Sequence, residues 1–309
     1  MSEIETIINS VLPEYNLGKR FTYRAISRGF ANENYKIVSD KGNFLFRICK
    51  EQSLAMINYE MRLMESLRKI DFPTAFPIKR TDGEYISTLH DKNIVLYEFK
   101  SGKEPLLNSQ VASEVAIAIG KLTHLPDKEK LKKLNVINLP DCLKMIGNFS
   151  KAEYQYPDIF RDFEKIILFL QEALKAELPQ GVIHADLFPD NTLFEGNKLV
   201  AIIDFEEANY DNLLFDIGMT INGFCFHENK LDNNLYKAFM ISYNKVRKLT
   251  TLENELIVYY IIWGAIGMSY WHLRHLISRP FKIQQNRVEE LIRRAQILMK
   301  SIQPEKLYT

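Results

Sequence analysis

The sequence predicts an α+β protein in two parts, a small β-rich lobe followed by a larger α-rich lobe. Three observations predict it. Over the first hundred residues, segments of strand character succeed one another in the order β-β-β-α-β-β. Beyond Ser101-Gly102-Lys103-Glu104-Pro105 the pattern turns helical and stays so almost to the end. One short strand region, at 181–205, interrupts the helices. The change in character places the boundary after Phe99, giving an N-terminal lobe of 1–99 and a C-terminal lobe of 100–309. A groove between two lobes is a common place for a ligand.

Each element has its own signal. A short helix is expected near Glu3 to Val11. Strands are expected at Phe21–Arg28, Asn34–Ser39 and Asn43–Lys50, where aromatic and β-branched residues stand between turn signals such as Asp40-Lys41-Gly42. From Ser53 to Ile70, Met56, Leu63, Met64 and Leu67 recur at helical spacing. Strands near Glu84–Leu89 and Asn93–Phe99 complete the first part. Helical patterns follow at Val111–Leu125, Asp158–Leu178, Leu213–Phe226, Asn234–Val246, Thr250–Arg279 and Asn286–Ile302. Thr250 with Glu253 three positions later forms a capping-box signature.

Composition excludes several classes. Forty basic and 39 acidic side chains in 309 residues leave a formal charge of +1. Binding to the nucleic-acid backbone needs a surplus of Lys and Arg, so no nucleic-acid partner is expected. With 46% hydrophobic and 26% charged residues, the chain is globular rather than disordered. Cys49, Cys142 and Cys225 are too far apart for a zinc knuckle or a disulfide framework, and their scarcity suits a cytoplasmic protein. MSEIETIINS has no basic n-region and does not read as a signal peptide. The longest uncharged stretch, Leu256 to Trp271, has sixteen residues. A membrane span needs about twenty, so this stretch reads as a core helix and no membrane partner is expected.

The chemistry concentrates in GVIHADLFPDNTLFEGNKLVAIIDF, residues 181–205. Thr192–Phe194 and Leu199–Ile203 flank Glu195-Gly196-Asn197-Lys198, which reads as a hairpin turn. If the hairpin forms, its open end brings Asn191 close to Asp204, with Asp186 five residues earlier on the entering loop. Two carboxylates and an amide oxygen suit Mg²⁺, a hard ion that keeps waters and binds through one or two carboxylates plus substrate phosphates. They suit zinc poorly, since no thiolate or paired histidine is near. Asp and Asn are also ordinary loop residues.

HADLFPDN, with IIDF bringing Asp204 thirteen residues after the asparagine, resembles the catalytic loop and metal aspartate of the aminoglycoside phosphotransferase and choline kinase superfamily. The resemblance covers nearly the whole chain and implies a two-lobed, protein-kinase-like fold. It implies that Asp186 is the catalytic base, that Asn191 and Asp204 hold Mg²⁺ against the phosphates of ATP, and that Asp216 in FDIG has a structural role. His184 is expected to brace the loop through a hydrogen bond to the backbone.

The phosphates also need a fixed cation. In NFLFRIC, Phe44, Phe46 and Ile48 face one way and Leu45, Arg47 and Cys49 the other. Glu60 lies among Met56, Leu63 and Met64 on the following helix. A carboxylate on an apolar stripe needs a cation, and Arg47 is its expected partner. In the superfamily a lysine or arginine at this strand position pairs with a helix glutamate and touches the ATP phosphates. Gly29, in Ser27-Arg28-Gly29-Phe30-Ala31-Asn32, is a candidate for the phosphate-covering loop, a weak signal without GxGxxG. Val95–Phe99, with Glu98, falls where the adenine-binding hinge of such a fold would lie.

Only eleven residues separate Asp204 from Asp216, too few for a peptide-docking activation segment, so a small acceptor is expected. GVIHADLFPDN, DNLLFDIGMTINGFCF and FPIKRTDGEYI before NIVLYEFKSG look most like homoserine kinases of the phosphotransferase type. That resemblance implies transfer of the γ-phosphate of ATP to the hydroxyl of L-homoserine, a step toward threonine. Glu206-Glu207 depart from it, because homoserine kinases tend to carry aromatic or small residues there. A glutamate at this place resembles choline and ethanolamine kinases, so a cationic acceptor stays open, and the two acids could also simply face solvent. Glu206, Glu207, Trp271, His272 and Arg274 are the candidates for holding an acceptor. A binding module without catalysis is the other class considered; the single-glycine loop and the arginine in place of lysine favour it, the intact Asp186, Asn191 and Asp204 do not. Oligomeric state has no sequence signal.

Overall fold

The computed structural model describes residues 2–18, 20–26, 32–147, 156–278 and 282–302. It divides into two compact units: Met1–Lys103 with Leu193–Glu195 and Val200–Glu206, and Glu104–Thr192 with Gly196–Leu199 and Glu207–Thr309.

The first unit is built on a five-stranded antiparallel sheet of β1 (Phe21–Ile26), β2 (Asn32–Ser39), β3 (Gly42–Cys49), β4 (Ile86–Leu89) and β5 (Lys92–Glu98), in the order β1-β2-β3-β5-β4. Its period-2 pattern separates two apolar faces. Phe46, Ile48, Ile94 and Leu96 pack with Ile7, Ile8 and Val11 of α1 (Glu3–Val11). Cys49, Val95 and Tyr97 pack with Ile57 and Met61 of α2 (Leu54–Arg68). Arg47 stands opposite Val95 in the register, on that second face. Ser53 caps α2 by accepting a hydrogen bond from the backbone N–H of Met56. Met56 itself is exposed, while Ile57, Tyr59 and Met61 are buried beside Leu63, Met64 and Leu67. The buried stripe of α2 is thus rotated from the spacing expected in the sequence.

The second unit is mostly helical: α3 (Ser109–Leu122), α4 (Leu139–Gly147), α5 (Pro157–Leu170), α6 (Leu213–Phe224), α7 (Asn233–Val246), α8 (Thr251–Ser278) and α9 (Lys282–Ile302). Helix α3 packs on α7, and α8 lies against both α6 and α9. The capping box forms: the Thr250 N–H donates to Glu253 Oε2 at 2.8 Å and the Glu253 N–H to Thr250 Oγ1 at 3.1 Å. A Cβ on Gly264 would come within 2.7 Å of the Gly218 carbonyl carbon, so α8 and α6 meet backbone to backbone. Over Thr251–Arg274 the chain is long and apolar enough to cross a membrane, yet 72% of its apolar window is buried inside the protein, as expected of a core helix.

Short strands carry the chemistry-bearing segment. β6 (Gln180–Ile183) pairs antiparallel with β9 (Asn209–Asn212). β7 (Thr192–Glu195) and β8 (Lys198–Ile202) form the expected hairpin, turning at Gly196 with φ +59°. β10 (Phe226–His227) and β11 (Lys230–Leu231) form a further small hairpin. Neither α4 nor β9 has a counterpart in the sequence reading, and α5 ends at Leu170 rather than Leu178.

Candidate active site

Within the second unit, the loop after β6 is held from three sides. The buried Asp216 carboxylate on α6 accepts the backbone N–H of His184 at 3.1 Å and of Ala185 at 2.9 Å. Burial raises the Asp216 pKa, while the charge of His184 and the two N–H groups act against the rise. Ala185 takes a left-handed φ of +66°, an uncommon conformation that these bonds help to fix. Next, His184 Nδ1 accepts the N–H of Asp186 at 3.3 Å, so the histidine braces the loop as expected. Asn191 Nδ2 then donates to the Asp186 carbonyl at 2.8 Å and to its Oδ2 at 3.0 Å. The result is a carboxylate oriented by its own loop, with the amide nitrogen of Asn191 engaged on it.

Within the first unit, Arg47 gathers the acids. It is 7% exposed. Its Nη1 lies 3.6 Å from Asp204 Oδ1 and 3.4 Å from Glu206 Oε1, and its Nε donates to Asn34 Oδ1 at 3.2 Å. Asn32 Nδ2 donates to the same Glu206 oxygen, and the guanidinium sits over the Tyr97 ring at 5.5 Å. Burial works against the charge of Arg47, but Asp204, Tyr97, Glu60 and Glu206 outweigh it and keep it protonated. The pKa of Glu206 is raised as well. Burial raises its pKa first and the negative Asp204 adds to the rise, while Arg47 opposes it.

The expected direct pair of Arg47 with Glu60 is corrected. Glu60, 2% exposed, is met by Gln52 Nε2 at 3.0 Å and the Tyr97 hydroxyl at 2.9 Å. Two neutral donors satisfy its oxygens, and Arg47 acts on it only at longer range. The sequence reading gave Gln52, Asn32, Asn34 and Tyr97 no part around Arg47 and Glu60; Asn32 stood only in the covering-loop segment and Tyr97 only in the hinge segment. The signal was available on β2 and β5: Asn34 lies opposite Arg47 and Tyr97 opposite Leu45 in the register.

Among the remaining candidates, Glu98 carries a half-buried ion pair with Lys100 at 2.8 Å and a longer one with Arg68 at 3.9 Å, and its backbone N–H donates to the Phe76 carbonyl. Gly29 lies outside the described residues. Glu207 accepts a hydrogen bond from Trp271 Nε1 at 3.3 Å, so the adjacent acids have different partners. Trp271 and His272 meet edge to face at 5.1 Å, and Arg274 stacks over Tyr270 at 5.2 Å.

A divalent ion finds fitting donors here. Asp204 takes a left-handed φ of +67°, and its buried Oδ1 has no hydrogen-bond partner among the described residues. Asp204 and Glu206 lie against the Arg47 guanidinium, with Glu60 acting on it at longer range. Among the described residues no three His, Cys, Asp or Glu side chains form a metal centre by themselves.

A mixed fold with a five-stranded sheet, a braced aspartate on a loop and an arginine among carboxylates define a phosphotransferase of the protein-kinase-like class. The comparisons agree. Residues 22–249 match the phosphotransferase enzyme family, and the chain belongs to it. Homoserine kinase of Brucella abortus (strain S19) is 30% identical over 286 residues, which cover 91% of this chain and 86% of that one. Homoserine kinase of Brucella anthropi is 29% identical over 288 residues, with the same shares. A solved microcompartment-associated aminopropanol kinase superposes with TM-score 0.76, covering 97% of this chain and 98% of that one at 16% identity. The protein is an ATP-dependent phosphotransferase whose acceptor is an alcohol group.

Proposed function

We propose that the enzyme transfers the γ-phosphate of ATP to the side-chain hydroxyl of L-homoserine, giving O-phospho-L-homoserine and ADP. The similarity to homoserine kinases over 91% of the chain carries this reading. The acceptor O–H loses its proton to the Asp186 carboxylate as its oxygen bonds to the γ-phosphorus, and the bond from that phosphorus to the bridging β-oxygen breaks. The loop supports this role, because the hydrogen bonds that orient Asp186 are in place before any substrate arrives. Asn191 and Asp204 are the proposed ligands of Mg²⁺, which when bound neutralises phosphate oxygens. Arg47 serves the phosphates as a guanidinium with more than one donor edge. Glu60 orders the surroundings of Arg47 through Tyr97, which touches both. Gly29 and the Glu98 segment are proposed for the nucleotide by resemblance alone. A cytoplasmic location goes with this reading.

A second reading has its own support. Glu207 and the Trp271 indole place a carboxylate beside an aromatic ring, which suits the ammonium of a cationic amino alcohol. A coupled ADP-release screen with homoserine, choline, ethanolamine, an amino sugar and an aminoglycoside tests both. Homoserine is expected to give the highest kcat/KM. Strong turnover of another acceptor with none of homoserine would overturn the proposal. Binding of Mg·ATP with no ADP from any acceptor would point to a non-catalytic module.

A further inference from the structure

Phe188, two residues beyond Asp186, is 7% exposed and packs against the end of α6, where a Cβ on Gly223 would come within 3.1 Å of its Cδ1. Its ring also carries the guanidinium of Arg287 from α9, with the guanidinium carbon 5.0 Å from the ring centre. No residue on α9 figured in the sequence reading of the site.

Arg287 belongs to a triad that is short of negative charge. Its Nη1 donates to Glu290 Oε2 at 2.8 Å, and the other oxygen of Glu290 is taken by Arg294. One carboxylate serves two guanidiniums, which leaves a net positive charge. Arg294 registers the deficit: burial and then the repulsion of Arg287 lower its pKa, against the pull of Glu290.

The two arginines have different duties. Arg294 is 7% exposed, and its other nitrogens are spent on the Asn222 carbonyl at 2.6 Å and Asn229 Oδ1 at 3.2 Å. It ties α9 to α6. Arg287 is 29% exposed and uses Nη1 alone, so among the described residues Nε and Nη2 have no hydrogen-bond partner. That edge has the fork geometry that matches a carboxylate.

We propose that Arg287 binds the carboxylate of the acceptor, so that the enzyme takes a hydroxy amino acid and discriminates against the amino alcohol that lacks the acid group. Phe188 lies two residues beyond Asp186, so its ring carries the guanidinium to the same loop as the base. This inference rests on the homoserine reading and deepens it.

The test measures ADP release by the full chain with homoserine and with 3-amino-1-propanol, its decarboxylated analogue, for the parent, Arg287→Gln and Arg287→Lys. The parent is expected to prefer homoserine. In Arg287→Gln the ratio of kcat/KM for homoserine over the analogue is expected to fall about 10- to 100-fold, mostly through KM, as for loss of a charged hydrogen bond. Arg287→Lys should recover part of that ratio at an unchanged melting temperature. An unchanged ratio in Arg287→Gln, with homoserine still phosphorylated, would overturn the role of Arg287 and leave the homoserine reading intact. A parent enzyme that prefers the analogue, or uses neither compound, would overturn both.

Discussion

The loop around Asp186 and the cluster around Arg47 both centre on carboxylates, and they stabilise them by opposite means. On the loop the partners are dipoles: two backbone N–H groups on Asp216, a ring nitrogen on the Asp186 backbone and an amide on its side chain. At Arg47 the partners are charges, with three acids in the field of one cation. Dipoles fixed in the chain hold a geometry and change little when a ligand arrives. An ion cluster can exchange partners, which is what the proposed role of Arg47 toward phosphates would require. The loop thus fixes a geometry, and the sheet gathers charge.

This contrast can be broken by removing one member at a time. The largest effect on stability is expected from Arg47→Met, which leaves Asp204 and Glu206 without their cation; loss of one partner of a buried pair costs about 3–5 kcal/mol. Denaturant unfolding checks it, and a loss below about 1 kcal/mol would mean that charge does not hold the cluster. Asp216→Asn is expected to cost about 1–3 kcal/mol, because one of the two loop N–H groups would face an amide donor in place of an acceptor. The same change should lower kcat, since Ala185 would lose part of what fixes its conformation. Glu206→Gln should have the smallest effect and a distinctive pH dependence. Burial raises the carboxyl above its ordinary 4.5, so the folded protein keeps a proton that the unfolded chain releases, and parent stability declines as pH rises from about 4.5. The variant should melt like the parent near pH 4.5 and progressively above it toward pH 8. A gap that shrinks with rising pH would contradict the assignment.

The sheet and its helix were legible because alternation and helical spacing are local properties. Phe46 and Ile48 face α1 while Arg47 and Cys49 face the other way, as the pattern NFLFRIC requires. β9 was not legible: Asn209–Asn212 reads NYDN, and only pairing with β6 makes it a strand. The residues of the loop stood out in HADLFPDN, but their bracing by Asp216 depends on contact with a helix thirty residues downstream. The partner of Glu60 was misjudged because the register brings the Tyr97 hydroxyl to it. Glu206 and Glu207 are neighbours in the chain with partners far apart in sequence, Asn32 with Arg47 and Trp271. No local signal records such a choice.

Proton acceptance by Asp186 is the claim on which the functional account depends. Asp186→Asn keeps the shape of the side chain and removes the base, so ADP formation with homoserine and Mg·ATP in this variant is the most direct measurement. Turnover is expected to fall about 10²- to 10⁴-fold while the melting temperature and nucleotide binding stay at the parent's level. Parent-like turnover by the folded variant would contradict the account.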